Sequence, residues 1–172
     1  MEFDLRLAAS DQAPLLSRLM TQTFLAAYGD VAPPAAIARH IERHYDARDI
    51  ARRIDAGVIE VHLLESAGQD AGYLQLGFGM AAPAALAGLR TLEVQRCYLR
   101  PEYIGTGAGG LLIERAQRRA RETGAQALHL SVYQQAPRAV RFYEKHGFRR
   151  TAPVKYYIDD VVYDDWLMVW WA

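Results

Sequence analysis

The feature that most constrains this chain is a run of glycines, Gly105-Thr106-Gly107-Ala108-Gly109-Gly110, set between a strand-like and a helix-like segment. Upstream, residues 89–99 read as a long strand that Pro101 ends. Downstream, a helix runs from about Gly107 to Thr123 and closes at Gly124. So many glycines at a helix start cost stability unless the backbone must turn sharply or be approached closely. A helix N-terminus offers unpaired amide N–H groups and the positive end of the peptide dipoles, which together attract an anion. The turn therefore predicts a phosphate site. Gly105, Gly107 and Gly110 also satisfy the dinucleotide spacing GxGxxG, but that fold places a carboxylate at the end of the next strand to hold a ribose. Here that strand ends Ser131-Val132-Tyr133-Gln134, without one. No lysine follows the glycines, which excludes a P-loop NTPase.

The rest of the chain supplies a frame for this turn. Phe3, Leu5 and Leu7 alternate with polar residues as in a short strand. Ser10 is placed to cap a helix whose apolar face is Leu15, Leu16, Leu19, Met20 and Thr23, and Gly29 is placed to stop it. Pro33-Pro34 opens a second helical stretch, and Asp46 or Asp49 caps a third that ends at Gly57. Residues 58–65 and 71–78 read as strands joined by a turn. The segment 79–88, small and proline-containing, reads as a loop near a site. Residues 127–133 form another strand, Pro137 opens a helix to His146, and 148–171 read as two strands around Asp159-Asp160. An antiparallel first half followed by a β-α-β-α second half makes a mixed α/β class. With no repeat or linker, one domain spans 1–172.

Composition excludes several partners. The 172 residues are 51% hydrophobic and carry a formal net charge of zero, with no Lys/Arg run to bind nucleic acid. No apolar stretch approaches the roughly 20 residues of a membrane span. The N-terminus opens directly into an alternating pattern rather than a signal peptide, so a cytoplasmic protein is expected. Cys97 is the single cysteine, which excludes an intramolecular disulfide and a cysteine-based zinc site. His40 and His44 have metal-ligand spacing, but Glu42 is not where a zinc-protease helix needs it and no third ligand is near, so no metal is expected. Trp166, Trp170 and Trp171 point to a covered surface, with a homodimer contact as the candidate.

The stretch Tyr98-Leu99-Arg100-Pro101-Glu102-Tyr103-Ile104-Gly105-Thr106-Gly107-Ala108-Gly109 resembles the coenzyme A signature of the GCN5-related N-acetyltransferase (GNAT) family, Gln/Arg-x-x-Gly-x-Gly/Ala. Gly107 and Gly109 match, and Ile104 stands where Gln or Arg is usual. Ala139-Val140-Arg141-Phe142-Tyr143-Glu144-Lys145-His146-Gly147-Phe148 resembles the family's second hallmark, with Ala136 where an Asn usually begins the helix. The run 92–99 with the acidic tail 157–168 is similar to the polyamine-type branch. The resemblance implies a GNAT fold. That is a mixed central sheet with an antiparallel N-terminal half, parallel strands that splay at the cofactor site, and helices on both faces. It also implies acetyl-CoA as cosubstrate, held by Cys97, Tyr98 and Leu99 and by Gly105, Thr106, Gly107, Ala108, Gly109 and Gly110. The reaction implied is direct transfer to a primary amine of a small molecule or peptide. The alternative is a CoA-binding sensor or interaction module without catalysis, which the departures at Ile104 and Ala136 favour.

The chemistry names two further residues. A primary amine has a pKa of about 10.4, so deprotonating it near neutrality costs about 4 kcal/mol, which a positioned base can meet. Glu93 is the candidate, eleven residues before Ile104, where histone-acetylating members of the resembled family place their glutamate base. Otherwise Glu93 faces solvent or pairs with Arg90. A backbone N–H near residues 97–99 is the expected oxyanion donor. Tyr143, at the position of the family's tyrosine, is the candidate acid for the leaving thiolate, with Tyr98 and Tyr133 in reserve. Asp159, Asp160, Asp164 and Asp165 either receive a cationic substrate or form a solvated turn.

Overall fold

In the computed structural model, which describes residues 1–172, the helices sort onto the two faces of one sheet according to where their apolar residues fall. The strands are β1 (Asp4–Leu7), β2 (Ile59–Ser66), β3 (Gln69–Gly77), β4 (Thr91–Leu99), β5 (Ala127–Tyr133), β6 (Arg149–Ile158) and β7 (Val161–Trp171). The helices are α1 (Ala13–Tyr28), α2 (Pro34–His44), α3 (Ala47–Asp55), α4 (Ala108–Glu122) and α5 (Pro137–Lys145). The sheet runs β1-β2-β3-β4-β5-β7-β6, and β4–β5 is its one parallel pair. This is the expected mixed architecture. No helix is long and apolar enough to cross a membrane.

Leu16, Leu19, Met20, Thr23 and Phe24 line one face of α1, the spacing that makes an amphipathic helix, and bury it with Ile37 and Ile50 against β2 and β3. On the other face Leu112, Ile113, Ala116 and Ala120 of α4 pack with Leu128 and Leu130 of β5 and Val140 of α5. Each fully buried leucine or isoleucine contributes about 1.5–3 kcal/mol by leaving water.

One expectation changes, and the structure adds detail to three others. Ser10 does not cap α1: residues Ser10–Gln12 form a 3₁₀ turn, and the side chain of Gln12 instead accepts from the Ala9 N–H at 3.2 Å. The loop 79–88 does not line the cleft between β4 and β5; Leu86 plugs it into a small cluster with Ala127, Leu167 and Val169. The tryptophans are largely covered within the chain, Trp170 by the Arg121 guanidinium at 4.8 Å and Trp166 by Arg150 at 6.0 Å, leaving Trp171 open. Of the two acids placed to cap α3, Asp46 does so, accepting from the Asp49 N–H at 3.0 Å.

Candidate active site

The site begins with a fault in the sheet. Gln75 pairs with Arg96 but Leu76 pairs with Val94, so Gln95 is an extra residue on β4. Such a bulge bends and twists its strand. On the other side, β4 and β5 pair only at Thr91–Ala127, Leu92–Leu128 and Glu93–His129, and then part. β5 meanwhile stays paired with β7 along its whole length. The result is a wedge between 94–98 of β4 and 130–133 of β5, a cleft of about 240 Å³. The end of α1 closes one side with Tyr28, and α5 closes the other with Ala139 and Tyr143. The cleft is lined from both faces of the sheet. Cys97 and Tyr143 belong with the α4 core, whereas Tyr98 and Tyr28 belong with the α1 core.

The glycine turn stands at the open end of β4. Gly105 and Gly107 have φ of +91° and +94°, a region that side-chain-bearing residues avoid. A Cβ on Gly107 would meet nothing within 4 Å, so the space above it is open. One on Gly109 would lie 3.1 Å from the Phe142 ring, which shows how closely α4 and α5 approach. The N–H groups of Gly105, Gly107, Ala108 and Gly109 donate to no acceptor within the chain. Thr106 and Gly110 instead use theirs inside the turn, to Tyr103 O at 3.4 Å and Gly107 O at 3.0 Å. Two cations that sequence reasoning missed stand nearby. The Arg138 guanidinium lies 3.5 Å from where a Gly105 Cβ would be, and Arg100, just before the turn, has a buried Nε without a partner. A cradle of free amides at a helix start, flanked by arginines, fits a polyphosphate. Leu99 packs beneath it in the core, while Cys97 and Tyr98 line the cleft.

Within the cleft, burial pushes the Cys97 thiol up to about 12, so it stays protonated and is a poor nucleophile. Tyr143 is also held well above the usual tyrosine range, by burial first and then by Cys97 and Tyr28. It is therefore a neutral O–H donor. Glu93 sits at the apex of the wedge rather than in its lining, on the last paired rung opposite His129. It does not pair with Arg90, which donates to Gly124 O. Its carboxylate accepts from Gln95 Nε2 at 3.1 Å, and Gln95 Oε1 in turn accepts from Gln75 at 2.7 Å and Arg53 at 3.3 Å. Burial lowers His129, and the Glu93 carboxylate pulls the other way.

The four acids of the tail separate. Asp159 pairs with Arg39 and Arg43, Asp160 with Arg39 and Asp164 with Lys155. Asp165 alone is buried, with one oxygen unpartnered, and burial pushes it up to about 6 despite Ser131. His40 and His44 lie on α2 with ring centroids 4.5 Å apart and planes tilted at 48°, and no group of three His, Cys, Asp or Glu side chains gathers there.

The acetyltransferase (GNAT) family model matches residues 32–148. An uncharacterized N-acetyltransferase of Mycobacterium bovis is 31% identical over 121 residues, 68% of this chain and 72% of that one. The PaiA N-acetyltransferase of Thermoplasma acidophilum, solved with coenzyme A, superposes over 100% of both chains with a TM-score of 0.76 at 19% identity. The yncA protein of Salmonella typhimurium, solved with acetyl-CoA, covers 99% of this chain and 94% of its own, with a TM-score of 0.69 at 18% identity. The split sheet, the glycine turn and these matches agree: the chain belongs to the acetyltransferase (GNAT) family and is an acetyltransferase.

Proposed function

We propose that the protein moves an acetyl group from acetyl-CoA directly to a primary amine of a small molecule or peptide. The observation that carries this reading is the wedge between β4 and β5, lined from both faces of the sheet, with the anion cradle and Tyr143 on the α4–α5 side and Tyr28 and Tyr98 on the other. The free amides of Gly105, Gly107, Ala108 and Gly109, with Arg138, fit the pyrophosphate of a coenzyme A, and the β4 edge at Cys97 and Tyr98 fits its arm. Bound there, acetyl-CoA supplies an acetyl group already activated as a thioester, so the chemistry asks neither for a metal nor for a covalent enzyme intermediate.

In this reading the chain's own groups do three things. The β4 edge freed by the split presents an N–H toward the developing oxyanion. Tyr143, neutral and facing Cys97 across the cleft, donates a proton to the departing sulfur. Glu93, one Gln95 side chain away from the cleft, draws the amine proton through water. Retention of both Glu93 and Tyr143 weighs against a coenzyme-A-binding module without catalysis; of the two departures that favour it, Ile104 is exposed and contributes no amide to the cradle, and Ala136 lines the cleft.

Thiol release from acetyl-CoA across polyamines, amino acids, aminoglycosides and peptide N-termini tests the reading. At least one amine class should raise release well above background. A melting shift with NADH and none with acetyl-CoA overturns it.

A further inference from the structure

We infer that the acceptor amine carries a negatively charged group, of carboxylate type, which Arg96 receives; this rests on the transferase reading above. Arg96 lies on β4 within the cleft lining and is partly buried. Its guanidinium sits 5.0 Å from the Tyr45 ring centroid. It forms no salt bridge, whereas the ion pairs elsewhere in the chain satisfy the charges of Arg6, Arg39, Arg43, Arg119, Arg150 and Lys155, among others. Asp165 does not reach it either. A desolvated guanidinium without an anion is costly, and it is the fork that best matches a carboxylate.

A second observation points the same way. Arg53 of α3 reaches the cleft residue Gln95 and likewise has no ion pair. Burial and then Arg96 make Arg53 easier to deprotonate, and Arg96 also disfavours the charged form of His44. The α2–α3 side of the cleft thus carries a net positive field: Arg96 and Arg53 have no ion pair, Asp49 is already paired with Arg52, and Glu93 is the other acid that acts on Arg53. Such a field attracts an anion and repels a polycation. The tail acids that would receive a polyamine are already neutralised at Asp159, Asp160 and Asp164.

Matched pairs of acceptors test this: amino acids against the amines left when their carboxylate is removed or amidated. Initial rates are read beside melting shifts of the CoA-loaded protein. The carboxylate-bearing member of at least one pair should show a kcat/KM about 30-fold or more above its neutral partner, the scale of a buried charge pair. Arg96→Gln should erase that preference through KM while leaving kcat and acetyl-CoA affinity near wild type, and Arg96→Lys should restore part of it. Equal rates within every pair, or an Arg96→Gln variant that loses neutral and anionic acceptors alike, overturn the inference while leaving the transferase standing. Anionic amines that stabilise the CoA-loaded protein but are never acetylated, while neutral amines are, also overturn the inference, because Arg96 would then receive an anion that is not part of the acceptor.

Discussion

The two faces of the split sheet are built on opposite plans. The α4–α5 face offers backbone: free amides, two left-handed glycines and a glycine that lets α5 close in. The α1–α3 face offers side chains: Arg96, Arg53, His40, His44 and several tyrosines, most of them shifted from their ordinary acid–base ranges. Backbone recognition suits a ligand with phosphates, whose charge is spread and whose approach must be close. Side-chain recognition suits a ligand whose identity must be distinguished. On the proposed reading, one face is fixed by the cosubstrate and the other is free to define the acceptor.

The strongest way to break this division is at the cradle. Gly107→Val puts a branched side chain at φ +94° and into the open space above the turn. Acetyl-CoA at a hundredfold over its dissociation constant should stabilise wild type by about 2.7 kcal/mol, a melting shift of roughly 5–10 °C. The variant should show no shift. A normal shift would place the cosubstrate elsewhere.

Next in size is Tyr143→Phe, measured as kcat with saturating acetyl-CoA. A coenzyme A thiol leaves readily, with a pKa of about 8.5, so the loss should sit at the low end for an acid, about a hundredfold. Cosubstrate affinity should hardly change. An unchanged kcat would move the role to Tyr98, Tyr133 or water.

A third effect belongs to the acceptor face alone. His40 is buried, stacks on Phe24 at 4.6 Å, has neither ring nitrogen partnered, and is lowered to about 4, by burial first and then by His44 and Arg96. Its folded pKa lies below its unfolded one, so the unfolded chain takes up the proton first. Stability is therefore intact above about 6.5 and is lost as pH falls toward 4. His40→Phe keeps the stacking and removes this loss. It should match wild type near pH 7 and exceed it by about 2 kcal/mol at pH 5 in urea unfolding. Parallel stability curves for the two proteins would mean that His40 takes up its proton equally in the folded and unfolded chain.

The smallest effect is expected at Glu93. Because its carboxylate is held by Gln95 outside the cleft lining, it acts at one remove, and Glu93→Gln should cost about tenfold near neutrality, less than a base in direct contact. The rate should recover as pH approaches the pKa of the free amine. A uniform loss at every pH would mean that Glu93 positions or stabilises rather than carries a proton.

What was legible in the sequence follows the same division. The glycine turn and the Ala139–Phe148 motif are contiguous, so their residues meet in space because they are neighbours along the chain. The α1–α3 face is assembled from β4, α1, α2, α3 and β7, and no spacing rule announces that Arg96 faces Tyr45 or that Asp165 is buried beside Ser131. The extra residue at Gln95 is equally silent in the sequence, yet it holds Glu93 away from the lining. In the loop 79–88, small residues and a proline mark a loop, but nothing in their pattern announces that Leu86 anchors it against Ala127, Leu167 and Val169.

The central claim is that both substrates lie together across the wedge, one from each face. Initial rates measured with both acetyl-CoA and the acceptor varied test it most directly. Direct transfer predicts double-reciprocal lines that intersect, and no burst of thiol when enzyme meets acetyl-CoA without an amine. Parallel lines with a stoichiometric burst would mean that the acetyl group first rests on the protein. Cys97 would then be the residue to examine, and the wedge would not hold the two substrates side by side.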